Sequence, residues 1–387
     1  MSASLSQLAR LVTNQGSAAH ISEKQWQDII PLAIQHGLAP MLLWRLRQAG
    51  RFSEADPLWE PLVEAARASA LYYALLDKTR RTVTAALAES NIPAVWLKGI
   101  ALAHTVYPEP RLRPMQDLDV LVPLEQRQAA RGIALGLGFK EPEGDYLVLI
   151  RAPEAVQHHD VLLGGPAGKV LLENHFRLLG LDGEHLLPHD KLAWFWEQTW
   201  APDGLDFAVL KPEAHLLYLC AHAFLQHGEA YLDLLHLLDL HLLVTHYDLD
   251  WRLLVEQATV LGWSAALGRG VSLSASYFNT PLPPEVLRVL GDHKSGDVER
   301  QATQPRQQRV ARWEEWQLLF GKMSLLQRLR LIWTTLFPPP SFLRDLYHLT
   351  PRQFALPYYF YHWWDAGREI ARALTARWSG QPPKTSH

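Results

Sequence analysis

At 387 residues, with 48% hydrophobic and 20% charged residues, the chain has a globular composition with room for about two or three packed units, which excludes a disordered polymer. Its formal net charge of −3 excludes a general nucleic-acid binder held by phosphate neutralisation, leaving room only for a local basic groove. A single cysteine, Cys220, excludes an intramolecular disulfide and a cysteine-built zinc cluster, and fits a reducing, cytoplasmic setting.

The opening MSASLSQLARLVTNQGS lacks the continuous apolar core of a secretory signal, and no run of about 20 apolar residues predicts a membrane-spanning helix. Helices are expected from Leu5 to about Glu89. WQDIIPLAIQHGLAPMLLWRLRQAG carries apolar positions at 3–4 spacing with Gly37 as the break. WEPLVEAARASALYYALLDKTRRTVTAALAES reads as one long helix ending near Asn91, Ile92 and Pro93. The pattern then changes. IPAVWLKG is a short buried strand ended by glycine, and IALAHTVY a helix closed by Pro108 and Pro110. DLDVLVP is an alternating strand stopped by proline, followed by the helix LEQRQAARGIALGLGF. DYLVLIRA, HHDVLLGG and KVLLENHFRL read as strands joined by turns, completing a small α/β unit.

After about Leu181 the periodicity is helical again, in PEAHLLYLCAHAFLQHG, YLDLLHLLDLHLLVTHY and DWRLLVEQATVLGW. QATQPRQQR reads as a loose connection, WEEWQLLFGKMSLLQRLRLIWTTLF as helix up to Pro338, and SGQPPKTSH as a frayed end. The expected fold class is therefore α+β. A small mixed-sheet core at 91–180 lies between a helical segment at 1–90 and a larger helical region at 181–387.

The chemistry concentrates in WLKGIALAHTVYPEPRLRPMQDLDVLVP. Residues two apart on a strand share a face, so Asp117 and Asp119 project together while Leu118, Val120 and Val122 turn away. Two carboxylates on one face repel unless compensated, and Mg²⁺ or Mn²⁺ with triphosphate oxygens supplies that compensation. Glu173 in VLLENHFRL offers the third carboxylate of a two-metal arrangement, a solvated strand end being the alternative. His175 shares its strand face and is either a contact to the metal shell or a packed histidine. Lys98 and Gly99 close the first strand and open a helix, where exposed N–H groups attract anions and a lysine adds a point charge. Arg113 is a second candidate triphosphate ligand, with Arg111 as its competitor. Each basic group taken singly also reads as a solvated surface charge.

LKGIAL, then Tyr107, then RPMQDLDVLV resembles the core signature of a bacterial uncharacterised nucleotidyltransferase-like family of the polymerase-β nucleotidyltransferase superfamily. The resemblance implies a glycine-containing turn at Lys98-Gly99, an acidic pair at Asp117 and Asp119, and a third acid at Glu173. Other branches have Gly-Ser or Gly-Gly at the turn, where this chain has Gly99-Ile100. The likeness extends through LYLCAHAFLQHG, the Asp-bearing LDLLHLLDLHLLV and LFPPPSFLRDLY, covering roughly 89–361. It implies transfer of a nucleoside monophosphate from an NTP to an acceptor (protein, sugar, small molecule or RNA) with release of pyrophosphate. Lys98, Gly99 and Arg113 would hold the triphosphate, and Asp117, Asp119 and Glu173 the metal.

Two readings from other classes stand beside it. One is a non-catalytic nucleotide- or partner-binding module. The other is a protein peripheral to the membrane in polysaccharide assembly, seated by the aromatic-rich WWDAGREIARALTARW, which otherwise packs on a helical bundle. Among the 18 histidines, His215, His222, His236, His241 and His246 lack the i, i+4 spacing of paired metal ligands and read as packing residues. His159-Asp160 and His189-Asp190 fall in strand or loop surroundings, away from the successive helices a His-Asp phosphohydrolase needs.

Overall fold

A computed structural model of the chain describes residues 3–16, 18–53, 55–141, 158–179, 189–227 and 232–284, with isolated positions beyond (286, 333, 337, 357–361, 363 and 364). The segment DYLVLIRA, the connection QATQPRQQR, most of the tail from Trp313 and the frayed end lie outside the described residues. The chain divides into two compact units, one of Met1–Lys140, His158–Leu179 and Leu187–Ala302, the other of Glu141–Gln157, Gly180–Leu186 and Thr303–His387. In the second unit residues 357–361 and 363–364 are helical, and the Trp363 ring meets Phe337 and Phe360 edge-on.

The first unit opens with α1 (Ala3–Val12), α2 (Glu23–Gln35), α3 (Ala39–Gln48) and α4 (Glu60–Glu89). Ser22 caps α2 by a reciprocal pair of bonds with Gln25, satisfying two donors that the helix start leaves open. Gly37 takes φ +70° between α2 and α3, a conformation that carries no Cβ penalty only for glycine. The long helix α4 is as its Ala- and Leu-rich sequence predicts.

Next come β1 (Val95–Trp96), α5 (Lys98–Thr105), β2 (Asp117–Leu121), α6 (Arg127–Gly136), β3 (Phe139–Lys140), β4 (His159–Gly164) and β5 (Val170–His175). Helix α7 (His189–Glu197) follows, so His189-Asp190 begins a helix and not a strand or loop. Two short strands then appear that the sequence pattern did not announce, β6 (Thr199–Trp200) and β7 (Ala208–Leu210). The helices α8 (Pro212–Ala221), α9 (Leu234–His246), α10 (Trp251–Leu261) and α11 (Ser264–Phe278) complete the unit, with a π-turn at His222–His227 extending α8.

Seven strands form one mixed sheet in the order β3-β4-β5-β2-β1-β7-β6, with β2/β5 and β1/β7 parallel. The pleat sends alternate residues into two separate cores. Leu118, Val120, Val122, Val170 and Leu172 pack with Leu76, Val83 and Leu87 of α4 and Ala130 and Ala134 of α6. On the opposite face Val95 and Leu121 join the core that holds α1–α3, α8 and α9. The chain is thus an α+β protein whose sheet lies between two helical layers.

Candidate functional site

The acidic residues sit on the face of the sheet turned towards α8. Leu118 and Val120 anchor β2 in the first core, so pleating obliges Asp117 and Asp119 to face the other way. Strand β5 runs parallel to β2 with Asp119 beside Glu173 and Leu121 beside His175. Parallel pairing therefore brings together side chains 54 positions apart, at the roughly 4.8 Å spacing of neighbouring strands. Strand β4 pairs on the far side of β5, placing His159 opposite His175.

Lys98 reaches this group from the turn between β1 and α5. Leu97 N–H bonds the Asp119 carbonyl (2.9 Å), and Lys98 follows with φ +45°, an uncommon conformation for a residue with a Cβ. The surrounding sheet holds that strain, and its effect is to aim the ammonium back into the acid cluster. Nζ donates to Asp119 Oδ1 at 2.7 Å and lies 3.6 Å from Glu173 Oε2. Burial alone would depress this amine, but Asp119, Tyr218, Glu173 and Asp117 hold it well above the ordinary lysine value. His175 Nε2 lies 3.0 Å from Asp119 Oδ1 and 3.2 Å from Glu173 Oε2. Burial pushes the ring towards neutrality, while the two carboxylates more than offset it and raise its affinity for a proton.

Charge balance in the cluster is incomplete. Glu173 is half-buried, yet the His175 hydrogen bond and the Lys98 charge keep it ionised, well below the usual carboxylate range. Asp117 is offset less, by the charges of Lys98 and Arg113. Burial, then the charge of Asp119, lifts its pKa to about 7. A carboxylate with a suppressed ionisation beside two others is a site that a divalent cation would relieve. Asp119, Glu173 and His175 offer ligand atoms within 4.8 Å of one another, a group that could hold a metal ion, and its two carboxylates are the hard oxygen donors that Mg²⁺ and Mn²⁺ prefer; Asp117 adds its charge from the same strand face.

Behind Lys98 lies a second polar layer. Arg113 is buried, with Nη2 2.8 Å from Asp239 Oδ2 and Nη1 donating to the Pro114 carbonyl at 2.9 Å. Tyr107 Oη donates to the other oxygen of Asp239 at 2.7 Å. Asp239 lies on α9, so this triad joins the turn before β2 to the helical layer. Its guanidinium occupies the space where a Gly99 side chain would start: a Cβ there would collide with Arg113 Nη1 and meet Met115 Cβ at 3.1 Å. The glycine is thus accounted for by a close approach of arginine. Arg111 pairs with Glu109 at the surface.

Lys98, Asp117, Asp119, Glu173 and His175 are therefore brought together, with Gly99 one residue behind. Arg113, expected as a triphosphate ligand, is buried against Asp239 and the Pro114 carbonyl, which take three of its five N–H donors. Sequence reasoning gave no role to Asp239, although the Asp in LDLLHLLDLHLLV stands out in an otherwise leucine-rich helix. It also passed over Tyr218, whose buried hydroxyl has no hydrogen-bond partner among the described residues and lies close enough to Lys98 and Asp119 to feel their charge. An aromatic residue in a continuous apolar helix gives no sign of that placement.

The fold and its acid cluster define a protein with a sheet-borne carboxylate site guarded by a lysine. The model of a family described as uncharacterised nucleotidyltransferase matches residues 22–279, and the chain belongs to that family. Searches of curated proteins and of solved structures found no match. Among the described residues, no helix is long and apolar enough to cross a membrane.

Proposed function

We propose that the chain is a metal-dependent nucleotidyltransferase that moves a nucleoside monophosphate from an NTP to an acceptor nucleophile. The observation that carries this reading is the Asp119–Glu173 register with Lys98 held between them, in a chain of a nucleotidyltransferase family. Asp117, Asp119 and Glu173 would hold Mg²⁺ or Mn²⁺. When bound, the ion supplies charge neutralisation for the triphosphate and for the pyrophosphate that departs.

The chain's own residues do the rest. Lys98 compensates the carboxylates of the cluster, and its flexible stem would let the ammonium reach a phosphate oxygen of a bound triphosphate. The N–H groups opening α5 at Gly99 present partial positive charge to an anion. Arg113 acts through position: by holding Asp239 and backing Gly99 it fixes the turn from which Lys98 projects. In the transfer, the acceptor oxygen bonds the α-phosphorus as the bond to the β-phosphate bridging oxygen breaks, and pyrophosphate leaves. The acceptor proton passes to water, with the Glu173 carboxylate orienting the attacking oxygen. Positioning and charge stabilisation carry most of such a reaction.

Membership of the polymerase-β superfamily is part of this proposal, supported by the order of turn, acidic pair and third acid on successive elements. So are the division along the chain into helical regions at 1–90 and 181–387 and a core at 91–180, an acceptor pocket supplied by the helices of the first unit, and a cytoplasmic setting. Calorimetric titration with each NTP and Mg²⁺ tests the first step. Binding that requires metal and disappears in Asp117→Ala/Asp119→Ala is expected; equal binding by that variant contradicts the site.

A further inference from the structure

Beside the carboxylates, on the β4 side of β5, stands a group that the transferase reading leaves unused. His158, His159 and His175 each offer a ring nitrogen, and these atoms lie within 4.8 Å of one another. The ring centres are 3.9 Å apart for His158–His159, 5.0 Å for His159–His175 and 5.6 Å for His158–His175. Glu173 adds an oxygen, with Oε1 3.9 Å from His159 Nε2. From these observations we propose that His158, His159, His175 and Glu173 form a binding site for a borderline-soft transition-metal dication of the Zn²⁺ type, distinct in donor chemistry from the carboxylate site.

Three features argue against simple packing of histidines. The first is rigidity. The His158 carbonyl accepts from both Phe176 N–H (2.9 Å) and Arg177 N–H (3.1 Å), and His159 and His175 are opposed in the β4/β5 register, so the three rings are fixed to one ladder. The bidentate Arg127–Asp160 pair next to His159 pins the start of β4 further. The second is orientation. His175 Nδ1 faces the Arg177 carbonyl at 3.4 Å, which leaves Nε2 pointing into the group; histidine ligands are commonly oriented by donating their other N–H to a backbone carbonyl in this way. The third is an unmet requirement. Among the described residues His159 Nδ1 is buried without a hydrogen-bond partner, a cost that packing does not repay.

Three imidazoles and one carboxylate are a donor set that suits Zn²⁺ and poorly suits Mg²⁺. Because Glu173 belongs to both groups, occupancy of the imidazole site bears directly on the carboxylate cluster.

The test uses Co²⁺, whose visible absorption reports nitrogen coordination, titrated into the full chain after chelator treatment. The wild type is expected to bind Co²⁺ with ligand-field bands that Zn²⁺ abolishes and excess Mg²⁺ leaves intact. His158→Ala/His159→Ala is expected to lose more than about 100-fold in affinity, beyond what loss of an outer-shell partner produces. His159→Gln, which keeps a side chain of similar bulk, is expected to show the same direction with an unchanged circular dichroism spectrum. Asp117→Ala, which touches neither Glu173 nor the imidazoles, is expected to keep the bands while losing Mg²⁺–NTP binding, so failure of the transferase reading is distinguishable from failure of the imidazole site. Unchanged Co²⁺ affinity in both histidine variants, or displacement by Mg²⁺ as readily as by Zn²⁺, overturns the proposal.

Discussion

Removing Asp239 tests how the helical layer supports the turn that carries Lys98. Arg113 is 7% exposed and Asp239 1%, so neither has water to replace a lost partner. In Asp239→Ala the guanidinium keeps only the Pro114 carbonyl, and the Tyr107 hydroxyl loses its acceptor. Stranding one charge of a buried pair costs about 3–5 kcal/mol, and a buried hydroxyl without an acceptor about 1–3 kcal/mol. The two losses share one carboxylate and are not additive, so a total near 4 kcal/mol is expected. For a unit of this size that corresponds to a fall in Tm of roughly 8–16 °C. Urea denaturation followed by tryptophan fluorescence, with calorimetry beside it, reads both quantities. Asp239→Leu/Arg113→Met, which removes the charge together with its partner, is expected to recover part of the loss. A cost below about 1 kcal/mol for Asp239→Ala, or a double variant less stable than the single one, would refute the reasoning.

Other perturbations probe the same framework. Gly99→Ala forces a Cβ against Arg113 Nη1, so a loss of about 1–3 kcal/mol is expected by denaturation, and it should shrink in an Arg113→Ala background, where only the Met115 Cβ contact is left. Lys98→Met leaves Asp119 and Glu173 without their ammonium. It should therefore destabilise the metal-free protein by about 3 kcal/mol and less once Mn²⁺ is added; an equal loss in both conditions would contradict the role of counter-ion. Burial holds His215 and His241 down to about 4 from the ordinary 6.5. Between those values the unfolded chain takes a proton that the folded chain refuses, so stability falls as pH drops from 6.5 to 4 and is unaffected above 6.5. Each contributes at most about 3 kcal/mol, and His241→Gln should flatten the decline in denaturation midpoint measured at pH 7, 5.5 and 4.5.

How much of this was legible in the residues depends on whether the cause was local. The helix Glu60–Glu89 declares itself through 30 residues of good helix formers with no break inside. The strand Asp117–Leu121 declares itself through alternation, and with it the shared face of Asp117 and Asp119. Glu173 could be nominated from its strand, but its register with Asp119 is a non-local pairing that no spacing along the chain encodes. The strands Thr199–Trp200 and Ala208–Leu210 escaped because two or three residues set no period. Arg113 is harder to read for another reason. A basic residue four places before an acidic pair reads as a phosphate ligand until its partner is known, and that partner, Asp239, lies 126 positions further on in a helix with its own apolar logic.

The measurement that bears most directly on the account is pyrophosphate release coupled to retention of α-labelled nucleotide. Purified chain is incubated with each of the four α-labelled NTPs and Mg²⁺ or Mn²⁺, with cell lysate as the acceptor pool and Asp117→Ala/Asp119→Ala as control. The account predicts label on a lysate component and matching pyrophosphate with the wild type alone, which would identify the base and the class of acceptor together. NTP bound in a metal-dependent way but never consumed would contradict the transferase and favour a binding module; neither binding nor turnover with any nucleotide would contradict the site itself.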